Sequence, residues 1–261
     1  MILPRMTPEE KLRQMERLLP YAKAIAQRTM NQKNVFKKVT RFPAYVFLAE
    51  REITDMGRWT VVLGCDNRSD AVRGRFTYDA FQKYEVRYAR KEYNNGIGIY
   101  VCHPQNCDKV WCQEFPPHYF FRLRERYISK KGIVQPDFAG LVREMFRLHH
   151  HAMNVIHEGT VMEKGEDGMY DVVKTPANQR REGYDNFATY HRDGISLGIS
   201  AERRYYNYTT FVSNDLLKHP QEEMQRQQVA DARNHELKLR YDQNTVFKEV
   251  VHVDGEVNFG L

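Results

Sequence analysis

Four Asx-Gly pairs punctuate the chain, at Asn95-Gly96, Asp167-Gly168, Asp193-Gly194 and Asp254-Gly255, each between apolar or alternating runs. Asn or Asp followed by Gly supplies the positive φ angles of a two-residue hairpin turn at little steric cost. A chain written in this way predicts antiparallel strands joined by hairpins. The clearest case in the first half is Tyr84-Glu85-Val86-Arg87-Tyr88, which alternates, followed by Asn94-Asn95-Gly96 and then Ile97, Ile99 and Val101. Further strands are predicted at residues 45–49 and 59–64.

Helical signals frame these strands. Thr7-Pro8-Glu9-Glu10 offers an N-cap hydroxyl, a proline at the first helical position and a glutamate at the third, which together form a capping box. Leu12, Met15, Leu18, Leu19 and Ala22 come next at helical spacing and give one apolar stripe. Phe115-Pro116-Pro117 closes the first sheet-like region and opens a helix predicted over about residues 117–129. Asp137 is placed to cap a second helix over about 138–157, closed by Gly159. After the break at Pro220, a long polar helix is predicted over about 221–241, its sparse apolar residues suited to the surface or to a partner. The fold class expected is therefore α+β: antiparallel sheet built from hairpins, with an N-terminal helix, a central helix pair and a long late helix.

With 261 residues, the chain is long enough to bury a core without disulfide or metal staples. Its net charge of +6 is unevenly spread. Residues 1–130 hold 24 Lys+Arg against 14 Asp+Glu, and residues 131–261 hold 16 against 20. The shift near Lys130-Lys131-Gly132 marks either a boundary between regions 1–130 and 131–261 or a loop within one domain. The basic half is where an anionic partner would sit. No run approaches the ~20 apolar residues of a membrane span, and the start lacks the basic patch and apolar run of a secretory signal. With only four cysteines, all in the first half, a cytoplasmic, reducing setting is expected.

The stretch Pro117-His118-Tyr119-Phe120-Phe121-Arg122-Leu123-Arg124-Glu125-Arg126-Tyr127 is the most informative for chemistry. Helical geometry sends Tyr119, Phe120, Leu123 and Tyr127 into a core. It also sets His118, Arg122 and Arg126 in a row at i, i+4 and i+8, with Glu125 beside them. Cleavage of a phosphodiester without a metal asks for such a set: a proton carrier and cations to hold the developing charge. A second carrier is offered by His191, which shares a strand side with Phe187 and Thr189 just before the Asp193-Gly194 turn. The expectation is a nucleic-acid-binding protein, with RNA preferred to DNA, and specifically a metal-independent nuclease similar in architecture alone to small endoribonucleases. In it His118 and His191 carry protons, Glu125 orients a neighbour, and Arg122, Arg126, Arg192, Lys37 and Lys38 hold the nucleic acid. The alternative is a non-catalytic structural or interaction protein that forms homo-oligomers or binds an acidic partner. Charged helix faces more often pair internally than bind anything, which favours that alternative for any single residue.

Two other clusters invite a metal reading. His149-His150-His151 are consecutive, and helical neighbours diverge by roughly 100°, so they do not converge on one ion while the helix lasts. His149 continues a buried row with Met145, whereas His150 joins Arg143 and Arg147 on another face. Cys102, Cys107 and Cys112 with His103 form the second cluster, completed by His103 or His118 if it held zinc, but the spacing is wider than Cys-x-x-Cys and a strand would point alternate side chains apart. No metal or cofactor is assigned. Alternating aromatics at Tyr205, Tyr206 and Tyr208 read first as core and second as a surface on which bases stack.

Overall fold

A computed structural model describes residues 1–30, 35–86, 96–104, 109–134, 136–150, 152–157, 160–167, 169–174, 183–217, 223, 225–231 and 234. The elements in chain order are α1 (Pro8–Met30), β1 (Ala44–Phe47), β2 (Arg51–Ile53), β3 (Gly57–Cys65), α2 (Arg68–Arg73), β4 (Thr77–Val86), β5 (Gly96–Pro104) and β6 (Val110–Phe115). They continue with α3 (Pro117–Leu123), a π turn (Arg124–Ile128), α4 (Phe138–Leu148), β7 (Met153–His157), β8 (Thr160–Lys164), β9 (Tyr170–Lys174), β10 (Tyr184–His191), β11 (Gly194–Ala201) and β12 (Tyr205–Ser213). A short 3-10 turn comes after them at Asn214–Leu216. The class is α+β.

Ten strands hydrogen-bond into one sheet in the order β1-β3-β4-β5-β6-β12-β11-β10-β7, with β2 on the flank of β3, while β8 and β9 form a separate hairpin. All described pairings are antiparallel except β6 with β12, where Gln113 faces Tyr206. That parallel seam joins strands from both halves of the chain, so the charge shift near residue 130 falls between strands of one continuous sheet. The Asp193-Gly194 turn links β10 to β11 as predicted, with His191 opposite Gly194. Asn94, Asn95, Gly168 and the Asp254-Gly255 pair lie outside the described residues.

Period-two alternation gives the sheet two faces. Trp59, Leu63, Cys65, Ala80, Tyr100, Cys102, Cys112 and Tyr205 point to one side and pack against Leu12, Met15, Leu18 and Ala22 of α1. The capping box that starts α1 is formed as predicted: the Thr7 amide donates to Glu10 Oε2 at 2.7 Å and the Glu10 amide to Thr7 Oγ1 at 3.2 Å. Val62, Phe81, Val101, Phe115, Tyr206, Tyr208 and Phe211 point to the other side and pack against α3, the π turn and α4. Tyr119, Phe120, Leu123 and Tyr127 are all buried there, and Phe115 stacks on Tyr208 at 4.4 Å between ring centroids. Each such side chain contributes about 1.5–3 kcal/mol of burial free energy.

The second central helix is shorter than its pattern predicts. Asp137 caps it, accepting from the Gly140 amide at 2.7 Å, but α4 ends at Leu148. Residues 153–157 instead form β7, paired antiparallel with β10 through Asn154 opposite Thr189 and Ile156 opposite Phe187. The edge of β10 offered that segment a full ladder of hydrogen bonds, and the β-branched Val155 and Ile156 fit it. Among the late residues, 223, 225–231 and 234 are helical, and the rest of the predicted 221–241 helix lies outside the described residues. Among the described residues no helix is long and apolar enough to cross a membrane.

Candidate nucleic-acid interface

Of the row expected from helical spacing, His118 and Arg122 lie on α3, while Arg126 falls in the π turn. His118 is partly buried at the helix start. Its pKa is lowered, first by that burial and then by the Arg122 and Arg126 guanidinium groups, with Glu125 opposing. His118 is therefore neutral at pH 7 and able to accept a proton. Arg122 donates to Glu125 at 2.7 Å, and its guanidinium lies 5.5 Å from the ring centroid of Phe121. Phe121 is 42 % exposed, so an aromatic face and a cation are presented together.

The π turn is one residue wider than an α turn, and it displaces the side chains C-terminal to it around the helix axis. Arg126 is swung onto β12, where it donates to the Phe211 carbonyl at 2.7 Å. Lys130 reaches Ser213 Oγ at 3.1 Å and both carboxylate oxygens of Asp215 at 2.5 Å. Lys131 donates to Asp193 at 2.7 Å. Between these groups lies an open groove of about 470 Å³, walled by the helix end on one side and by Asp193, Asn214 and Asp215 on the other. The wall is braced: Asn214 donates to the Arg192 carbonyl at 3.1 Å, and buried Gln225 donates to Asn214 Oδ1 at 2.8 Å. Arg192 itself is exposed in the same turn.

His191 occupies a different environment from the one its place beside a turn predicts. It is 2 % exposed. Its Nδ1 bonds the Leu148 carbonyl at 2.9 Å and its Nε2 faces Ser196 Oγ at 2.8 Å. A carbonyl only accepts, so Nδ1 carries the hydrogen and Nε2 accepts from Ser196. Ser196 then accepts from Tyr119, 2.9 Å away, and Tyr119 accepts from His149 Nε2 at 2.8 Å. Every hydroxyl hydrogen is used once in this chain. Burial pushes the pKa of His191 down to about 3, and burial followed by the His191 and His103 charges lowers that of His149 well below the usual imidazole range. His118 and His191 therefore do not share a solvent-filled hollow on the His191 side.

Lys37 and Lys38 are exposed but directly follow Phe36, which packs with Phe76 on the α1 side of the sheet. They belong to the opposite side from α3. The sequence pattern marked Lys130 and Lys131 only as the place of the charge shift; their part in the groove depends on contact with residues more than sixty positions away. Nor did it mark a polar band across the α3 side of the sheet. There His103 Nδ1 bonds Asp79 at 2.7 Å and Nε2 bonds Gln113 Oε1 at 2.8 Å, while Gln113 donates to Tyr208 at 3.2 Å. An acceptor beside each ring nitrogen favours the protonated ring. Burial alone would lower its pKa, but the Asp79 charge and the bonds to Asp79 and Gln113 raise it overall.

Cys102 and Cys112 face each other across β5 and β6 and point into the α1-side core, whereas His103 points to the other face. Those groups do not converge, and Cys107 lies outside the described residues. Burial, as the largest cause, raises the thiol pKa of Cys65 to about 11. Among the described residues no three His, Cys, Asp or Glu side chains are grouped to hold a metal ion. No protein-family model, curated protein or solved structure matches this chain.

Proposed function

We propose that this chain is a cytoplasmic RNA-binding protein that takes single strands along α3 and into the groove between the π turn and the β10–β11 turn. The observation that carries the reading is the meeting of Arg126, Lys130 and Lys131 in one groove beside the turn that bears Arg192. Each lysine ammonium is held by an exposed or half-exposed carboxylate. Such surface pairs are worth about 0–1 kcal/mol, so a phosphate can displace them. Phe121 under Arg122 adds a face on which a base stacks, which favours a single strand over a duplex.

Cleavage is a weaker reading than binding. In-line attack on a phosphodiester needs an acid and a base over one phosphate, and His191 is enclosed with a pKa of about 3. His118 remains as one neutral imidazole beside two guanidinium groups.

The test is fluorescence anisotropy of a labelled single-stranded RNA at several salt concentrations, with the strand checked by gel afterwards. Wild type is expected to bind with an affinity that falls steeply with salt, since counterions are released from the phosphates. Lys130→Ala/Lys131→Ala should weaken binding by about tenfold or more and flatten the salt slope by about 1–2. Binding that is absent, or indifferent to salt and to these changes, refutes the proposal. Strand scission that survives chelator and disappears in His118→Ala would instead restore catalysis.

A further inference from the structure

The groove holds charges of both signs. Arg126, Lys130 and Lys131 line it together with Asp193 and Asp215. A phosphate is repelled by a neighbouring carboxylate, the more so where water is excluded. A surface built only to track a phosphate backbone gains nothing from carboxylates inside its cavity. A ligand carrying both phosphate and hydroxyl groups satisfies both sets, because hydroxyls donate to carboxylates while phosphate oxygens accept from ammonium and guanidinium groups. In RNA, adjacent 2′ and 3′ hydroxyls occur together only at the 3′ end; everywhere else the 3′ oxygen is esterified. The volume of about 470 Å³ falls in the range of small-ligand sites and suits one terminal nucleotide.

Resting on the RNA-binding reading, the geometry points to this groove as a site for the 3′-terminal nucleotide of an RNA, its cis-diol on Asp193 and its phosphodiester on Arg126, Lys130 and Lys131. Asp215 engages Lys130 through both oxygens at 2.5 Å and Ser213 takes its third hydrogen, so a phosphate reaches that ammonium by displacing Asp215. Lys131 engages Asp193 through Oδ2 at 2.7 Å, which aims the carboxylate while using one of its oxygens. Asp193 also stands on a fixed wall. Gln225, 3 % exposed, donates to the Gly194 carbonyl at 3.4 Å and to Asn214 at 2.8 Å, tying the helical residues 225–231 to the turn. A preorganised carboxylate loses less entropy on binding than one on a loose loop.

The experiment compares three versions of one short 5′-labelled single-stranded RNA by anisotropy with the full chain: a natural 3′ end, a 3′-phosphate and a terminal 2′-deoxynucleotide. Loss of either hydroxyl is expected to weaken binding about tenfold, the worth of a charge-assisted hydrogen bond. Asp193→Asn, which retains a turn-compatible residue and an acceptor oxygen but loses the charge, should narrow the difference between the three versions severalfold. Equal wild-type affinity for all three, with Lys130 and Lys131 still required, overturns the terminal site and leaves the RNA-binding reading standing. Full discrimination retained by Asp193→Asn overturns the role of that carboxylate. Failure of every version to bind removes both.

Discussion

A neutral histidine sealed in a protein couples its stability to acid. Folded His191 titrates near 3, while an unfolded imidazole titrates near 6.5. Because the folded pKa is depressed, the stabilisation is present above about pH 6.5 and is lost as pH falls towards 3. At pH 5 the unfolded chain is protonated and the folded one is not, a difference of about 2 kcal/mol from this residue. His149 works in the same direction. His103 has the opposite sign: its pKa is raised, so its contribution is complete below about 6.5 and fades as pH rises through the raised value. Urea unfolding at pH 7 and pH 5 should therefore show a marked loss for wild type and a smaller one for His191→Asn. An identical pH slope in the two proteins would mean that His191 is not enclosed as described. The same burial that gives this signature removes the residue from proton transfer at neutral pH.

Among the elements, β11 and β12 show how little room the sheet leaves. Their register shifts between Leu197 and Gly198, where Leu197 faces Thr210 and Gly198 faces Tyr208. The bulge turns Phe211 onto the same face as Tyr208. A Cβ on Gly198 would lie 2.2 Å from the Asn207 carbonyl oxygen and 2.6 Å from the Phe187 ring. The nearer of these is backbone and does not swing aside. Gly198→Ala should thus lower stability by about 1–3 kcal/mol, the usual range for overpacking, and a variant as stable as wild type in denaturant titration would contradict the bulge. At this scale the sequence was a good guide where local chemistry decides. The capping box, the Asp137 N-cap, the buried row of Tyr119, Leu123 and Tyr127 and the Asp193-Gly194 turn are all set by neighbours in the chain. It was a poor guide at residues 149–157, where an apolar-periodic continuation of α4 was overridden by the open edge of β10.

Across the whole molecule, one buried ion pair ties distant parts together. Lys11 of α1, 4 % exposed, donates to Glu114 of β6 at 2.8 Å and to Tyr205 of β12 at 3.1 Å. Tyr84 of β4 donates to the other Glu114 oxygen at 3.0 Å. Breaking such a pair on one side leaves an uncompensated charge in the core. Glu114→Leu should destabilise by about 3–5 kcal/mol, whereas Lys11→Met/Glu114→Leu should recover most of that loss. Equal stability of the single and double variants in denaturant would show that the charges are hydrated. Lys11 stands on the apolar stripe of α1, where period alone marks it as out of place, but its partner lies 103 positions away.

The charge asymmetry, the α+β class, the Asp193-Gly194 turn and the place of His118 and Arg122 on α3 were properties of the sequence itself, because propensity, capping and periodicity act between residues a few positions apart. Which face of the sheet each row covers, where α4 stops, that His191 is enclosed and that Lys130 and Lys131 meet Asp215 and Asp193 were settled only by the tertiary structure. Those outcomes depend on which strand pairs with which, a choice made by the burial of surfaces far apart along the chain. No local pattern encodes it.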